Sequence, residues 1–480
     1  MRRYWRFILK WLLFIGTLTI SFKLICDSLV DIFLLLPHSS IVDMAEKNAD
    51  SNYEQSLLAW TAAGQLVKSK KLSMGNIQKR DDLQWIGAQI FFRHGARTPL
   101  HLLPSLEEVI YSKEQIESYL PSKWDIKLIT KKGNDIVSKD KVLSASEVAG
   151  NKSQKLKSAS GENVKTGQLT AVGEKQLFEL GRFIRSQLIN DSNYDQGLLP
   201  ATYDSKYVYC RSTYMDRTIA SARSFLAGLF SSVKTDNKIQ TNGPFEIEVQ
   251  HFPDEDLFPN PNIYPILENC HSVKSLYTSL NDDHELKKAR QALINRIGVT
   301  EYPHGIIELY DDIVSRQAHN FPVPQDILEL AKDFEIMSAR EYVYRATNIG
   351  YDLFIRSSCG PILYLIRENF DSILKNYLEE ENNNIKKPYH KFFIYSGHDS
   401  TLIPLAMAFE IFDMQWPKYA SHILIKYFIS KINPNETYVV VIFDGEPQIL
   451  PDCQDYYCSY STFLKNLQNR FDKPKNSSQT

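Results

Sequence analysis

Three times along this chain a short apolar run of β type breaks off into a cluster of polar residues. LQWIGAQIFF (Leu83–Phe92) ends in Arg93-His94-Gly95-Ala96-Arg97, KYVYC (Lys206–Cys210) in Arg211-Ser212-Thr213, and KFFIYS (Lys391–Ser396) in His398-Asp399. Behind the second and third clusters a helical pattern opens at once. Met215, Ile219, Ala222, Leu226 and Leu229 then share one helical face, and another helix follows from Thr401. LTAVGEKQLFELGRFIRSQLI (Leu169–Ile189) places Leu177, Leu180, Ile184 and Leu188 on one face in the same way. FEIEVQHF (Phe245–Phe252) reads as a further strand, and SHILIKYFIS with ETYVVVIFDG as a strand pair. Tyr351–Leu378 reads as a long helix, with a kink at Gly360-Pro361. Strands alternating with helices predict an α/β fold built on a mostly parallel sheet with helices on both faces. Two stretches, 101–166 and 253–345, break the alternation and read as insertions that form a helical cap over one sheet edge.

Open α/β sheets bind ligands at the carboxyl ends of their strands, where helix N-termini supply N–H donors and a positive dipole end. If the three strands are neighbours, Arg93, His94, Arg97, Arg211, His398 and Asp399 converge. Cations this close repel one another, so an anion is expected between them. Arginine forks match phosphoryl oxygens and stay charged at any working pH. Their field disfavours imidazolium, so His94 is expected to be unprotonated near neutrality and able to attack phosphorus. The product is a phosphohistidine that water hydrolyses. Asp399 is the candidate proton donor to the leaving oxygen, and His398 the candidate donor to a phosphate oxygen. Gly95 is read as letting backbone approach the ligand, Pro99 as restraining the loop, and Thr213 with Asp216 as a helix cap.

Other chemistries lack their residues. The chain has no Gly-x-Gly pair, no phosphate-binding Gly-rich loop ending in Lys-Ser/Thr, no Gly-x-Ser-x-Gly elbow for Ser396 or Ser400, and no His-Glu-x-x-His. His251, His271 and His319 lack metal-ligand spacing and read as structural or surface groups. A formal charge of -2 over 480 residues argues against a general nucleic-acid binder.

The first forty residues stand apart. Arg2, Arg3, Arg6 and Lys10 precede any acid, and Trp11–Phe22 is apolar. That run alone is too short for a membrane span of about 20 residues. Tyr4–Cys26 reaches the length if its charged side chains snorkel. Residues 1–40 read as a single-pass signal-anchor with the catalytic part lumenal or extracellular, as a cleaved signal peptide, or as a mitochondrial presequence. Residues 41–80 read as a polar stalk. Sequons begin at Asn151, Asn190, Asn435 and Asn476. Of six cysteines, Cys453 and Cys458 are spaced to close a small loop.

Arg93-His94-Gly95-Ala96-Arg97-Thr98-Pro99 matches the Arg-His-Gly-x-Arg-x-Pro signature of the histidine acid phosphatases, and His398-Asp399 matches that family's distal His-Asp pair. Arg211-Ser212-Thr213 resembles the segment with its third phosphate-binding arginine. The related phosphoglycerate mutase branch carries an acid where Ala96 stands. The resemblance covers roughly Leu83 to Cys458. It implies a phosphoglycerate-mutase-like core over about 81–470 with a tail over 471–480, phosphomonoester hydrolysis without a metal or other cofactor, and no nucleic-acid partner. GQLTAVGEKQLFELG, RSTYMDRTIASARSFLAGLF, QAHNFP and IFDMQWPKYA resemble the members that act on lysophosphatidic acid, which implies a lysophospholipid substrate. A sugar phosphate of the secretory pathway, or a membrane-tethered phosphate-binding protein without turnover, are the alternatives.

Overall fold

The computed structural model describes residues 80–472, except 104–105, 121–125, 131–154, 159–163, 190–196, 233–237, 240, 242, 272–282, 299–304 and 384–386. The anchor and stalk readings (1–40 and 41–80) and the tail reading therefore lie outside the described residues, apart from 80, 471 and 472 at their edges. Among the described residues, no helix is long and apolar enough to cross a membrane.

The elements that place the site are, in chain order, β1 (Leu83–Arg93), β2 (Ile126–Thr130), α1 (Ala171–Leu188), β3 (Val208–Thr213), α2 (Asp216–Leu229) and β4 (Phe245–Gln250). Then come α3 (His284–Ile297), α4 (Ile306–Ala318), α5 (Gln325–Thr347), α6 (Tyr351–Asn383), β5 (Phe392–Gly397) and α7 (Asp399–Ala408). The chain closes with β6 (His422–Ser430), β7 (Thr437–Phe443), β8 (Glu446–Gln448), β9 (Cys458–Ser459) and α8 (Tyr460–Leu467).

The nine strands form one sheet in the order β8-β7-β6-β1-β5-β3-β4-β2, with β9 beside β7. From β1 to β2 all pairings are parallel. From β1 to β8 they are antiparallel. The parallel half is the half expected from strand–helix alternation. The antiparallel half follows from β6 and β7, which are joined by a short turn and pair as a hairpin. That turn exposes the sequon residue Asn435. Ile126–Thr130, expected inside a cap, instead extends the sheet as its edge strand, parallel to β4.

Both faces of the sheet are covered, as parallel strands require. Alternate residues of β1 divide between two cores. Phe91 packs with Tyr395 and Ile425 under Ile362, Leu402 and Phe463 of α6, α7 and α8. Ile90 and Phe92 pack with Ile394 under Ile184 and Phe225 of α1 and α2. Helix α6 runs on through Pro361. Cys453 and Cys458 form a disulfide, while Cys210, Cys270 and Cys359 are free and buried.

β1, β5 and β3 are adjacent and in step. Arg93 lies opposite Gly397, and Ser396 opposite Ser212. Their carboxyl ends therefore reach the same edge of the sheet, where two of the three predicted clusters meet.

Candidate active site

The turns leaving β1, β3 and β5 line one cavity of about 400 Å³. Its polar floor includes Arg93, His94, Arg97, Arg217, His398 and Asp399, and its walls include Met215, Phe258, Ile307, Tyr342, Phe354 and Trp416. Some of these wall residues come from the 253–345 stretch.

His94 follows the last residue of β1 and is buried. Its Nδ1 lies 2.9 Å from the Gly95 carbonyl oxygen. A carbonyl only accepts, so Nδ1 carries the hydrogen and Nε2 keeps a free lone pair. Burial first, then the charges of Arg217, Arg97 and Arg93, hold the imidazole well below its ordinary pKa. The ring is therefore neutral, with the tautomer of a nucleophile.

The three arginines around it are only partly satisfied. Arg93 Nη1 donates to the Pro417 carbonyl at 2.6 Å, Nη2 forms an ion pair with Asp399 Oδ2 at 2.8 Å, and the guanidinium lies over the Tyr419 ring at 4.6 Å. Arg97 makes a forked pair with Asp311, at 2.6 Å through Nη2 and 3.3 Å through Nη1. Arg217 Nη2 lies 3.4 Å from His398 Nδ1. The Nε atoms of all three and Nη1 of Arg217 are buried with no hydrogen-bond partner among the described residues. Orphan buried donors are uncommon and cost free energy. Four on cavity-lining guanidiniums describe a cradle for a tetrahedral oxyanion. Burial and the repulsion of Arg97 push the pKa of Arg217 down to about 9, and the attraction of Asp399 and Asp311 offsets this only in part.

Arg211, expected as the third phosphate ligand, does not line the cavity. It sits within β3, almost fully buried, and its Nη2 contacts Gln250, Glu255 at 2.8 Å and Asp256. Two carboxylates already meet its charge, so it is a structural tie between β3 and the segment after β4. Arg217, at the second position of α2, stands where that ligand was expected.

His398 lines the cavity, but both ring nitrogens are engaged. Nδ1 accepts from Arg217, so Nε2–H donates to Thr213 Oγ1 at 3.0 Å. Thr213 in turn contacts Thr218 Oγ1 at 2.8 Å, which donates to the Met215 carbonyl at 2.9 Å. In this arrangement His398 holds Arg217 in place rather than offering an N–H to phosphate. Thr213 serves that chain and not as a helix cap, and α2 begins behind Met215 without a side-chain cap.

Asp399 opens α7. Burial opposes its ionisation, but Arg93, His398, Arg97 and the Ser400 N–H outweigh it and hold the carboxyl below the usual range. Gly95 uses its missing Cβ against Gly173 of α1, whose backbone a side chain would strike, and not against a ligand. His319 bridges Thr170 Oγ1 at 2.8 Å and the Ser315 carbonyl at 2.7 Å, a structural role as expected. Among the described residues, no group of His, Cys, Asp or Glu is placed to hold a metal. Asp311, Trp416, Tyr419 and Arg217 were not singled out by sequence. Arg217 stands in the quoted stretch RSTYMDRTIASARSFLAGLF, and Trp416 and Tyr419 in IFDMQWPKYA, but no role was read for them there.

Known proteins agree with the motifs. The model of the histidine phosphatase superfamily (branch 2) matches residues 86–301. Lysophosphatidic acid phosphatase type 6 of Homo sapiens is 25% identical over 437 residues, 86% of this chain and 92% of its own. Lysosomal acid phosphatase of Xenopus laevis is 28% identical over 324 residues, 63% of this chain and 68% of its own. Among solved structures, the phytase of Klebsiella sp ASR1 superposes with a TM-score of 0.50 over 83% of this chain and 99% of that one, at 12% identity, a likeness of fold alone.

Proposed function

We propose that the chain, a phosphoric monoester hydrolase similar to the histidine acid phosphatases, cleaves lysophosphatidic acid through a phosphohistidine on His94. The reading rests on one observation above all. A neutral imidazole with a free Nε2 sits among three arginines whose unpaired donors are buried.

The chemistry follows from these groups. The phosphoryl group enters the cradle of Arg93, Arg97 and Arg217, which offset its charge and align it. His94 Nε2 forms a bond to phosphorus while the ester P–O bond breaks. The leaving oxygen takes a proton from Asp399. That carboxyl is ionised in the free protein. A phosphate dianion changes the balance, because it shares the charge of Arg93 and repels the carboxylate, so Asp399 gains a proton as substrate binds. In the second half, Asp399 takes a proton from water as the water attacks phosphorus. The N–P bond breaks and inorganic phosphate leaves.

Two observations support a lipid leaving group. Apolar side chains of Met215, Phe258, Ile307 and Phe354 line the cavity beyond the floor, and relatives named for lysophosphatidic acid cover most of the chain. On this reading residues 253–345 act as a cap that shapes the leaving-group pocket. The first forty residues tether the enzyme to a membrane, where such an amphiphile resides.

Rapid denaturing quench with ³²P-labelled substrate tests the mechanism. Labelled protein is expected from the native enzyme and none from His94→Ala; a His94→Ala enzyme that turns over at the native rate ends the proposal. Lysophosphatidate assayed beside a sugar phosphate tests the substrate, and a preference for the sugar overturns the lipid assignment. Alkaline extraction of membranes reports on the tether.

A further inference from the structure

One loop reaches this site from outside the three strand-end clusters. Residues 409–421 connect α7 to β6. Within them Glu410, Met414 and Ala420 adopt left-handed backbone at φ of 58°, 60° and 61°. Side chains rarely accept that region, and it costs free energy unless the surroundings require it. In return the loop engages the site. The Pro417 carbonyl accepts from Arg93, and the Tyr419 ring stacks under the same guanidinium. The Ala420 N–H donates to the His94 carbonyl at 3.2 Å. The Trp416 indole Nε1–H donates to Asp399 Oδ2 at 3.3 Å, with its ring edge-on to Tyr342.

The last contact bears on the proton. Each carboxylate oxygen has two lone pairs. Oδ2 of Asp399 lies in an ion pair with Arg93 at 2.8 Å and accepts a hydrogen bond from Trp416 at 3.3 Å, so a cation and a donor both face it and oppose a proton there. Among the described residues, Oδ1 accepts from the Ser400 N–H alone, at 2.8 Å, and no cation is paired with it. A proton is therefore least opposed on Oδ1. We propose that Trp416 is a positioning residue for the reaction: with Arg93 it closes Oδ2 of Asp399 and so directs the transferable proton to Oδ1. The proton then leaves from Oδ1 to the ester oxygen as the P–O bond breaks, and the carboxylate returns to the form seen here. Trp416 touches no reacting atom in this scheme. It keeps the acid in one orientation. The inference rests on the reading of Asp399 as the proton donor.

Leaving groups separate this role from a structural one. A nitrophenolate departs without help, whereas a glycerol alkoxide needs the proton. kcat/KM reports the steps up to phosphoenzyme formation and is measured against pH for 4-nitrophenyl phosphate and glycerol phosphate. Trp416→Phe keeps the ring and loses the N–H. It is expected to lose about tenfold on glycerol phosphate, the order of one hydrogen bond to a charged group, and less than about twofold on the nitrophenyl ester. The alkaline limb of its glycerol phosphate profile moves to higher pH, because one donor to the carboxylate is gone. Equal losses on both substrates with an unmoved limb overturn the proposal. Should Trp416→Phe fold poorly, benzothienylalanine at the same position, with sulfur in place of N–H, retains the shape and gives the same comparison. Asp399→Ala, measured in parallel, separates the two readings. If it shows no dependence on leaving group, the acid assignment falls and Trp416 falls with it. If it shows strong dependence and the Trp416 variant shows none, only Trp416 falls.

Discussion

Replacing Arg217 with Met should make the protein more stable and nearly inactive, and the two signs can be worked out separately. Arg217 is 8% exposed, and its Nε and Nη1 have no partner. Each buried orphan donor costs about 1–3 kcal/mol. Met, of similar length, removes both. The bond to His398 that disappears with them offsets about 1.5–3 kcal/mol of this, since its donor is charged. The charge also sits in the first turn of α2, the unfavourable end of the helix dipole for a cation. The net gain is on the order of 2 kcal/mol, which in a domain of this size raises Tm by a few degrees. Activity moves the other way. Loss of one preorganised donor to transition-state charge typically costs about 2.7–4 kcal/mol, a factor of 10²–10³ in kcat. Phosphate links the two effects, since a ligand at a hundred times its Kd stabilises the native state by about 2.7 kcal/mol. With a third of the cradle removed, Arg217→Met should show a smaller rise in Tm on adding phosphate. Scanning calorimetry with and without phosphate, beside kcat/KM, reads all three quantities. A variant that melts below the native protein without phosphate, or that keeps the native rate, refutes the claim that this guanidinium is held unpaired for the substrate.

Three further outcomes follow from the same geometry. An imidazolium cannot attack phosphorus, and His94 is held well below its ordinary value by burial and by arginine charge; the acid limb of kcat/KM should therefore lie below 6.5, and a limb at or above 6.5 contradicts the assignment. Asp311→Asn leaves Arg97 with half of its buried fork, which should cost about 3–5 kcal/mol and enlarge the rise in Tm caused by phosphate; an unchanged Tm counts against the pair. Gly173→Ala drives a methyl group into the backbone at Ala96, so it should lose about 1–3 kcal/mol of stability together with kcat/KM, and calorimetry showing native stability would remove the packing argument.

The sequence carried the strands well, because residues that alternate between two cores leave a continuous apolar run. β1, β5 and the hairpin of β6 and β7 all fall within a residue or two of the runs that signal them. The error of consequence lies in β3. Its apolar run stops at Cys210, but the strand continues through Arg211 and Ser212 to Thr213. Polar residues can occupy strand positions when the partners are tertiary, and Arg211 finds Glu255 and Asp256 some forty residues away. A strand read three residues short made Arg211 look like a strand-end cation. With the true end at Thr213, Arg211 projects to a face of the sheet beside Tyr209 and Tyr395, and the first turn of α2 comes to the carboxyl edge with Arg217 on it.

The same contrast says what separates a structural arginine from a functional one. Arg211 has two carboxylates for one charge; burial opposes its ionisation, but Asp256 and Glu255 outweigh it and hold the pKa well above the ordinary value. Around the cavity the ratio is reversed. Arg93, Arg97 and Arg217 have Asp399 and Asp311 for partners, so three cations face two anions. Asp399, moreover, must be released from Arg93 when it takes up a proton. The excess positive charge is therefore smallest in the free protein and grows as the acid is neutralised, which is when a phosphoryl dianion lies in the cradle to balance it. In the proposed reaction Asp399, the carboxylate paired with Arg93 in the free protein, is the one that is neutralised, so binding of the dianion and protonation of Asp399 are two sides of one charge balance. On this argument Asp399→Asn, which is neutral from the start, should bind phosphate more tightly than the native protein above about pH 5 while turning over less substrate. Titration calorimetry with inorganic phosphate decides the point, and weaker binding by Asp399→Asn would break the link between the two events.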